Sequence, residues 1–217
     1  MKLFEKTLLL LTLTALLFLL PACAQTAPAA PGETDMPAAA GEAGEAPDAA
    51  PTDAPKTPDY GTVGTFKTQD TAGNEVTNAV FAEADVTMLN VWATFCGYCI
   101  EEMPTLTKLN GEFADRGFQI LGLVGDVGDG KGGFTDGDRA ESQTIMDKAG
   151  AEFPTLMPSL ELIRSVLNQV PGYPTTFFVD SEGKLLGEPV VGARGENSWR
   201  EIIEAYLEIA PKRAAQE

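Results

Sequence analysis

The sequence predicts one α/β domain, a β-sheet covered by helices, over residues 59–212, behind an export signal and an unstructured linker. Three observations predict it. Short apolar runs of strand length alternate with segments whose apolar residues recur every three or four positions. Near residue 58 the composition changes, from Ala, Pro, Gly, Thr and acidic residues with no aromatic side chain to a chain carrying aromatic and apolar runs. Finally, a C-x-x-C pair, Cys96 and Cys99, stands where an apolar run ends and a periodic segment begins.

Residues 1–23 read MKLFEKTLLLLTLTALLFLLPAC. Lys2 and Lys6 give a short basic start, and 8–20 is an almost unbroken apolar run of 13 residues. That length suits a secretory signal and falls short of the ~20 residues a spanning helix needs. The segment predicts export. Its end has two readings. Leu20-Pro21-Ala22-Cys23 has the form of a bacterial lipobox, in which Cys23 is lipidated and becomes the first mature residue. Ala22-Cys23-Ala24 has the form of an A-x-A-like site for ordinary signal peptidase, which would release a soluble protein. The lipobox is preferred, because Cys23 would otherwise be an idle thiol and a tether follows at once.

That tether is residues 24–58, with Lys56 as its single basic residue. It cannot bury enough apolar surface to offset its ordering entropy, so it is predicted to be disordered. A flexible coil of 35 residues has a root-mean-square reach of roughly 30–35 Å, which suits a domain held just off a membrane surface. The net charge is −17, and removing Lys2, Glu5 and Lys6 (together +1) makes it −18. Such acidity excludes nucleic acid and anionic lipid headgroups as charge-driven partners.

The domain's elements follow in order. Residues 64–69 and 76–77 flank DTAGNE and predict an N-terminal β-hairpin with a Gly-Asn turn. VTMLNVWA (86–93) is apolar on both faces, a buried strand. Over 97–114, Ile100, Met103, Leu106, Leu109 and Phe113 form one helical stripe, which Pro104 should kink. FQILGLVGD (118–126) is a second buried strand, followed by a Gly- and Asp-rich loop to about 138. Helices are predicted near 139–149 and 159–168, with EFPTLMP between them. TTFFVD (175–180) is a third strand, SEG a turn, and 184–191 a fourth strand. In the closing helix, 196–210, Trp199, Ile202, Ile203, Tyr206 and Leu207 share one face, and Ser198 and Glu201 are spaced as a capping box.

The C-x-x-C pair at a strand-to-helix junction carries the chemistry. Free N–H groups and the macrodipole at a helix N-terminus favour an anion. Cys96 should therefore ionise below the free thiol value of about 8.5. Cys99, one turn further in, should be more buried and keep a higher value. One thiolate that attacks and one thiol that resolves is what disulfide exchange needs. A closed zinc site wants four Cys or His ligands, whereas the chain has no His and three Cys, one of them in the signal. A copper site of the C-x-x-x-C plus His kind fails on spacing and on the missing His. No metal or other cofactor is expected. A purely structural disulfide is an alternative, although cross-links that stabilise folds usually close longer loops.

The segment LNVWATFCGYCIEEMP resembles the active-site segment of thioredoxin-fold proteins, most closely the extracytoplasmic TlpA/ResA-like thiol–disulfide oxidoreductases. About 75 residues on, GYPTTFFVD is similar to that family's cis-proline loop and puts Pro174 in the loop's role. The resemblance covers about residues 60–210. It implies a thioredoxin-like fold with the N-terminal hairpin and a central insertion between the two central strands. By resemblance, Cys96 is the attacking cysteine and Cys99 the resolving one. Trp92 matches the tryptophan four residues ahead, Pro104 the helix-kinking proline, and Glu102 the acidic residue near the thiols. Glu102 would accept the Cys99 proton; a solvated helix carboxylate is the alternative. A cis bond at Pro174 would bring Tyr173 beside Cys96 and expose its backbone to an extended substrate. Trp92, Tyr98 and Tyr173 are thus expected to contact substrate.

Departures from the family pattern are Phe95, where Trp is usual, and Tyr98, where Pro is common. Residues between the cysteines influence redox poise. Asn90 stands where plain thioredoxin has a buried Asp. Two other motifs fail. Gly125 to Gly132 nearly spells a P-loop, but Gly132 replaces the Ser/Thr, and Asp126 and Asp129 would repel phosphate. The same loop lacks EF-hand spacing and reads as a surface loop. The resemblance implies a membrane-tethered reductase outside the cytoplasmic membrane, acting on protein disulfides and drawing electrons from a membrane thiol carrier of the CcdA/DsbD type. The alternatives are a thiol peroxidase, which wants a single peroxidatic Cys with Thr and Arg nearby, and a non-enzymatic lipoprotein adaptor with inert cysteines.

Overall fold

A computed structural model describes residues 59–213. The signal segment 1–23 with Cys23, and the linker 24–58, lie outside the described residues.

The domain is built on a five-stranded mixed sheet beside a separate two-stranded hairpin. The hairpin is β1 (Lys67–Gln69) and β2 (Glu75–Thr77), antiparallel as the sequence predicts. Its turn is closed by Asp70, whose carboxylate accepts the Asn74 backbone N–H at 2.8 Å and side-chain N–H at 2.9 Å. A 3₁₀ turn, Asn78–Glu83, follows and buries Phe81. Periodicity over 11–18 residues does not reveal a turn this short.

β3 (Val86–Trp92) is the sheet's centre, parallel to β4 (Phe118–Val124) and antiparallel to β6 (Thr175–Asp180). With neighbours on both edges and cover on both faces, all seven of its residues are buried. Met88 and Trp92 point to one side, where they pack with Met103, Leu106 and Leu109 of α1 (Gly97–Phe113) and Trp199 and Ile203 of α4 (Glu196–Ile209). Leu89 and Val91 point to the other, against Phe66, Phe81 and Leu162. Each fully buried Leu, Met or Phe contributes roughly 1.5–3 kcal/mol. Asn90 shares the Met88 and Trp92 face and is buried as well, a polar residue in an apolar row.

The remaining elements differ in detail from expectation. α2 (Asp136–Ala149) starts earlier than 139, because Thr135 and Asp138 form a reciprocal capping box. Within EFPTLMP, β5 (Thr155–Leu156) adds a parallel strand beside β4. The helix predicted over 159–168 is broken: α3 (Leu160–Ser165) ends at Val166 and a 3₁₀ turn, Leu167–Gln169, follows. The fourth strand is also broken. Lys184 and Leu185 make isolated bridges, to Thr62 and to Val179 of β6, and β7 (Val190–Val191) pairs with β6 further on. Pro189 lies between them and cannot donate to a ladder. The Ser198–Glu201 capping box does not form. Gly195 takes the N-cap position, so Ser198 lies inside the first turn. Pro104 sits inside α1 as read from the sequence.

Gly122 of β4 faces Thr155 of β5 in register. A Cβ placed on Gly122 would lie 3.0 Å from the Thr155 Cβ, inside normal contact. Gly122→Ala should therefore destabilise the domain by ~1–3 kcal/mol in urea unfolding, and adding Thr155→Ala should recover part of the loss. An unchanged midpoint for Gly122→Ala would contradict this packing.

Candidate active site

β3 ends at Trp92, the chain turns through Ala93-Thr94-Phe95, and α1 begins at Gly97. Cys96 is the N-cap of α1, with extended backbone (φ −85°, ψ 97°). Its Sγ accepts the Cys99 backbone N–H at 3.2 Å. A sulfur thus occupies the place where an oxygen usually satisfies one of the helix's free donors. Cys96 and Cys99 are joined by a disulfide, with Cα atoms 5.3 Å apart. Cys96 is 8% exposed and Cys99 1%, so Cys99 is the more buried of the two, as expected.

Two neighbouring strands hold the junction. The β3–β4 register, which pairs Trp92 with Val124, brings Asp126 beside Thr94. The Asp126 carboxylate accepts the Thr94 N–H at 2.9 and 3.0 Å and the Thr94 hydroxyl at 2.6 Å. On the other side, β6 pairs Thr175 with Val91, placing Pro174 at the same end of the sheet. The Tyr173–Pro174 peptide is cis. Tyr173 meets the Phe95 ring edge-on at 6.1 Å. Any Cβ on Gly125 would lie 2.7 Å from the Tyr173 hydroxyl, so only glycine leaves room for that ring. Burial, then the Asp126 charge, push the Tyr173 hydroxyl above its usual range. Phe95 and Tyr98 are about three-quarters exposed, at 75% and 73%.

Glu102 lies beneath the disulfide's helix turn, at i+3 from Cys99 on one face of α1. It is 5% exposed rather than solvated. Its Oε1 accepts from Asn90 Nδ2 at 3.2 Å, and its Oε2 from the Arg194 backbone N–H at 3.3 Å and Trp199 Nε1 at 3.2 Å. Asn90 also donates to Thr176 Oγ1 at 3.1 Å, which accounts for a polar residue on the apolar face. Burial raises the Glu102 carboxyl above its ordinary value of 4.5, and the three donors oppose that rise.

Trp92 requires a correction. Expected to contact substrate, it is 0% exposed and packs with both cysteines in the core. It is a wall behind the disulfide, out of reach of a docking protein. The sequence reading missed Asp126 as a clamp, Arg194 as a backbone donor and Trp199 as a hydrogen-bond donor. Strand register could have found Asp126. Helical periodicity placed Trp199 on the right face but says nothing of its N–H. Among the described residues no three His, Cys, Asp or Glu side chains cluster as metal ligands.

The raised Glu102 value has a consequence for stability. Between pH 4.5 and the higher folded value, the folded chain holds a proton that the unfolded chain has released. Stability therefore falls as pH rises through that window. Glu102→Gln cannot ionise, so it should gain on the wild type as pH rises above about 4.5, and the gain should level off above the folded value. Urea unfolding between pH 4 and pH 8 measures it; a difference that is flat with pH, or of opposite slope, would refute the buried-carboxylate account.

A family model described as the AhpC/TSA family matches residues 61–187, a span that holds Cys96, Cys99, Glu102 and Pro174. Among curated relatives, the thiol-disulfide oxidoreductase ResA of Bacillus thuringiensis (strain Al Hakam) is 27% identical over 119 residues, 55% of this chain and 60% of that protein. The thioredoxin-like protein YneN of Bacillus subtilis (strain 168) is 32% identical over 115 residues, 52% of this chain and 61% of that protein. The chain thus spans 60–61% of the length of these relatives. A solved thiol:disulfide interchange protein of the thioredoxin family from Chlorobium tepidum TLS matches with a TM-score of 0.54 at 24% identity, covering 66% of this chain and 93% of that one. A thiol:disulfide interchange protein from Bacteroides sp. matches with a TM-score of 0.52 at 22% identity, covering 72% and 91%. These two likenesses identify the fold as thioredoxin-like. With the family model spanning more than half of the sequence, the chain belongs to the AhpC/TSA family.

Proposed function

We propose that the protein is a thiol–disulfide oxidoreductase that works outside the cytoplasmic membrane, tethered by lipidated Cys23, and reduces disulfides of exported proteins. The observation that carries the proposal is the Cys96–Cys99 disulfide at the N-terminus of α1, with Cys96 the more exposed of the two residues. A dithiol there can form and break within one helical turn.

In the reduced enzyme, Cys96 as thiolate attacks one sulfur of a substrate disulfide. The Cys96–substrate bond forms, the substrate S–S bond breaks, and the first substrate thiolate leaves. Glu102 takes the proton of Cys99 through the buried turn they share. Cys99 then attacks Cys96 Sγ, re-forms the enzyme disulfide and expels the second substrate thiolate. Two electrons have passed to the substrate. A membrane thiol carrier of the CcdA/DsbD type returns them by the same exchange. Phe95, Tyr98 and Tyr173 form an aromatic rim that suits an unfolded or extended protein segment. Beside it, the Tyr173 N–H and carbonyl take no backbone partner among the described residues, so an extended chain can pair there as an added strand. Pro174 fixes that loop next to the sulfurs.

Cys99→Ser tests the proposal in the host cell. Without the resolving thiol, Cys96 should accumulate mixed disulfides with defined exported proteins, released by reductant and absent in Cys96→Ser. A Cys99→Ser protein that carries no adduct would sink the exchange mechanism.

A further inference from the structure

We propose that Trp199, on the face of α4 that packs against α1, is a positioning residue for the buried base: its indole N–H holds the ionised Glu102 carboxylate in place beneath Cys99. The inference rests on the reading of Glu102 as the group that takes the Cys99 proton.

Trp199 is 0% exposed and donates to Glu102 Oε2 at 3.2 Å. The same oxygen accepts the Arg194 backbone N–H, and the other accepts from Asn90. Every hydrogen-bond partner of the carboxylate is thus a donor. An indole N–H cannot accept, so a protonated Glu102 finds no acceptor at that oxygen. The donors favour the carboxylate, while burial favours the acid. Water cannot replace the Trp199 bond in a core position. A second buried indole makes the contrast: among the described residues, Trp92 Nε1 meets no acceptor. Of the two buried indoles, Trp199 is the one whose N–H meets a protein acceptor among the described residues, the carboxylate one turn from Cys99.

The groups that face Glu102 come from every element packed on it. β3 contributes Asn90, which links to Thr176 of β6. The loop before α4 contributes Arg194, whose guanidinium bonds the carbonyls of Val191, Gly192 and Ala193 and acts on Glu102 only through space. α1 contributes the titratable Cys96 and Cys99.

The test uses the reduced full chain and two readouts. In the wild type, the Glu102 side-chain carboxyl carbon and the Trp199 indole N–H are titrated together by NMR. They should share one midpoint; a carboxyl that titrates while the indole signal stays still overturns the proposal. The second readout is the pH profile of insulin disulfide reduction. Trp199→Phe keeps an aromatic ring, smaller than the indole, and removes the donor. It should move the profile to higher pH and slow the reaction at neutral pH about tenfold. In a Glu102→Gln background, Trp199→Phe should move nothing further. An equal displacement in both backgrounds, or none in either, assigns Trp199 a packing role only and overturns the proposal. If Glu102→Gln alone leaves the profile unchanged, the base reading of Glu102 fails instead, and the wild-type titration still decides whether Trp199 holds the carboxylate.

Discussion

An α-helix starts with N–H groups that no carbonyl of the helix can reach, and in this protein a sulfur meets them. Cys96 caps α1 with its Sγ on the Cys99 N–H. The rest of the structure is arranged to keep that meeting point fixed and open. β3 is buried on both faces, so its end cannot drift. β4 sends Asp126 across to tie down Thr94, two residues before the cap. β6 brings the Tyr173–Pro174 loop to the same edge, where Tyr173 fills the space that Gly125 leaves. Three adjacent strands therefore define one sulfur's position. This is why the central sheet is mixed: the parallel partner supplies the clamp and the antiparallel partner supplies the loop.

Under the cap lies a second constraint of opposite kind. A carboxylate in a nearly closed niche is costly, since charge loses its water there. Among the described residues Glu102 has no ion-pair partner in hydrogen-bond range, and it is held by three neutral donors from β3, α4 and the loop before α4. These donors hold the charge without cancelling it. Burial pushes that carboxyl above its ordinary value, and the donors oppose the rise. The two cysteines thus differ in surroundings as well as in exposure: Cys96 caps the helix terminus, and Cys99 lies one turn before the buried Glu102.

Much of this could be read from the residues. The strands at 86–93, 118–126 and 175–180 were evident because a strand buried on both faces is an uninterrupted apolar run. α1 and α4 were evident from their stripes, and the paired motifs around Cys96 and Pro174 located the site. What escaped the sequence was local or depended on pairing. β5 is two residues long and exists only because Gly122 lets Thr155 approach. The 184–191 run looked continuous because apolar residues outnumber its Pro189, yet it meets β6 only at an isolated bridge from Leu185 and again at Val190–Val191. Asp126 looked like a loop residue until strand register put it against Thr94. Trp92 and Trp199 were both legible as apolar, but the roles separate only in three dimensions: one is a wall, the other a donor. Glu102 could equally have faced solvent, and burial settles that it does not.

The central claim is that the α1 terminus makes Cys96 a thiolate poised for exchange. Its most direct test is a pH titration of the fully reduced protein by ultraviolet thiolate absorbance, with each thiol assigned by alkylation and peptide mapping. The account predicts that Cys96 ionises first and below the free-cysteine value of about 8.5, with Cys99 ionising later. A Cys96 thiol that ionises at or above about 8.5, or after Cys99, would contradict it.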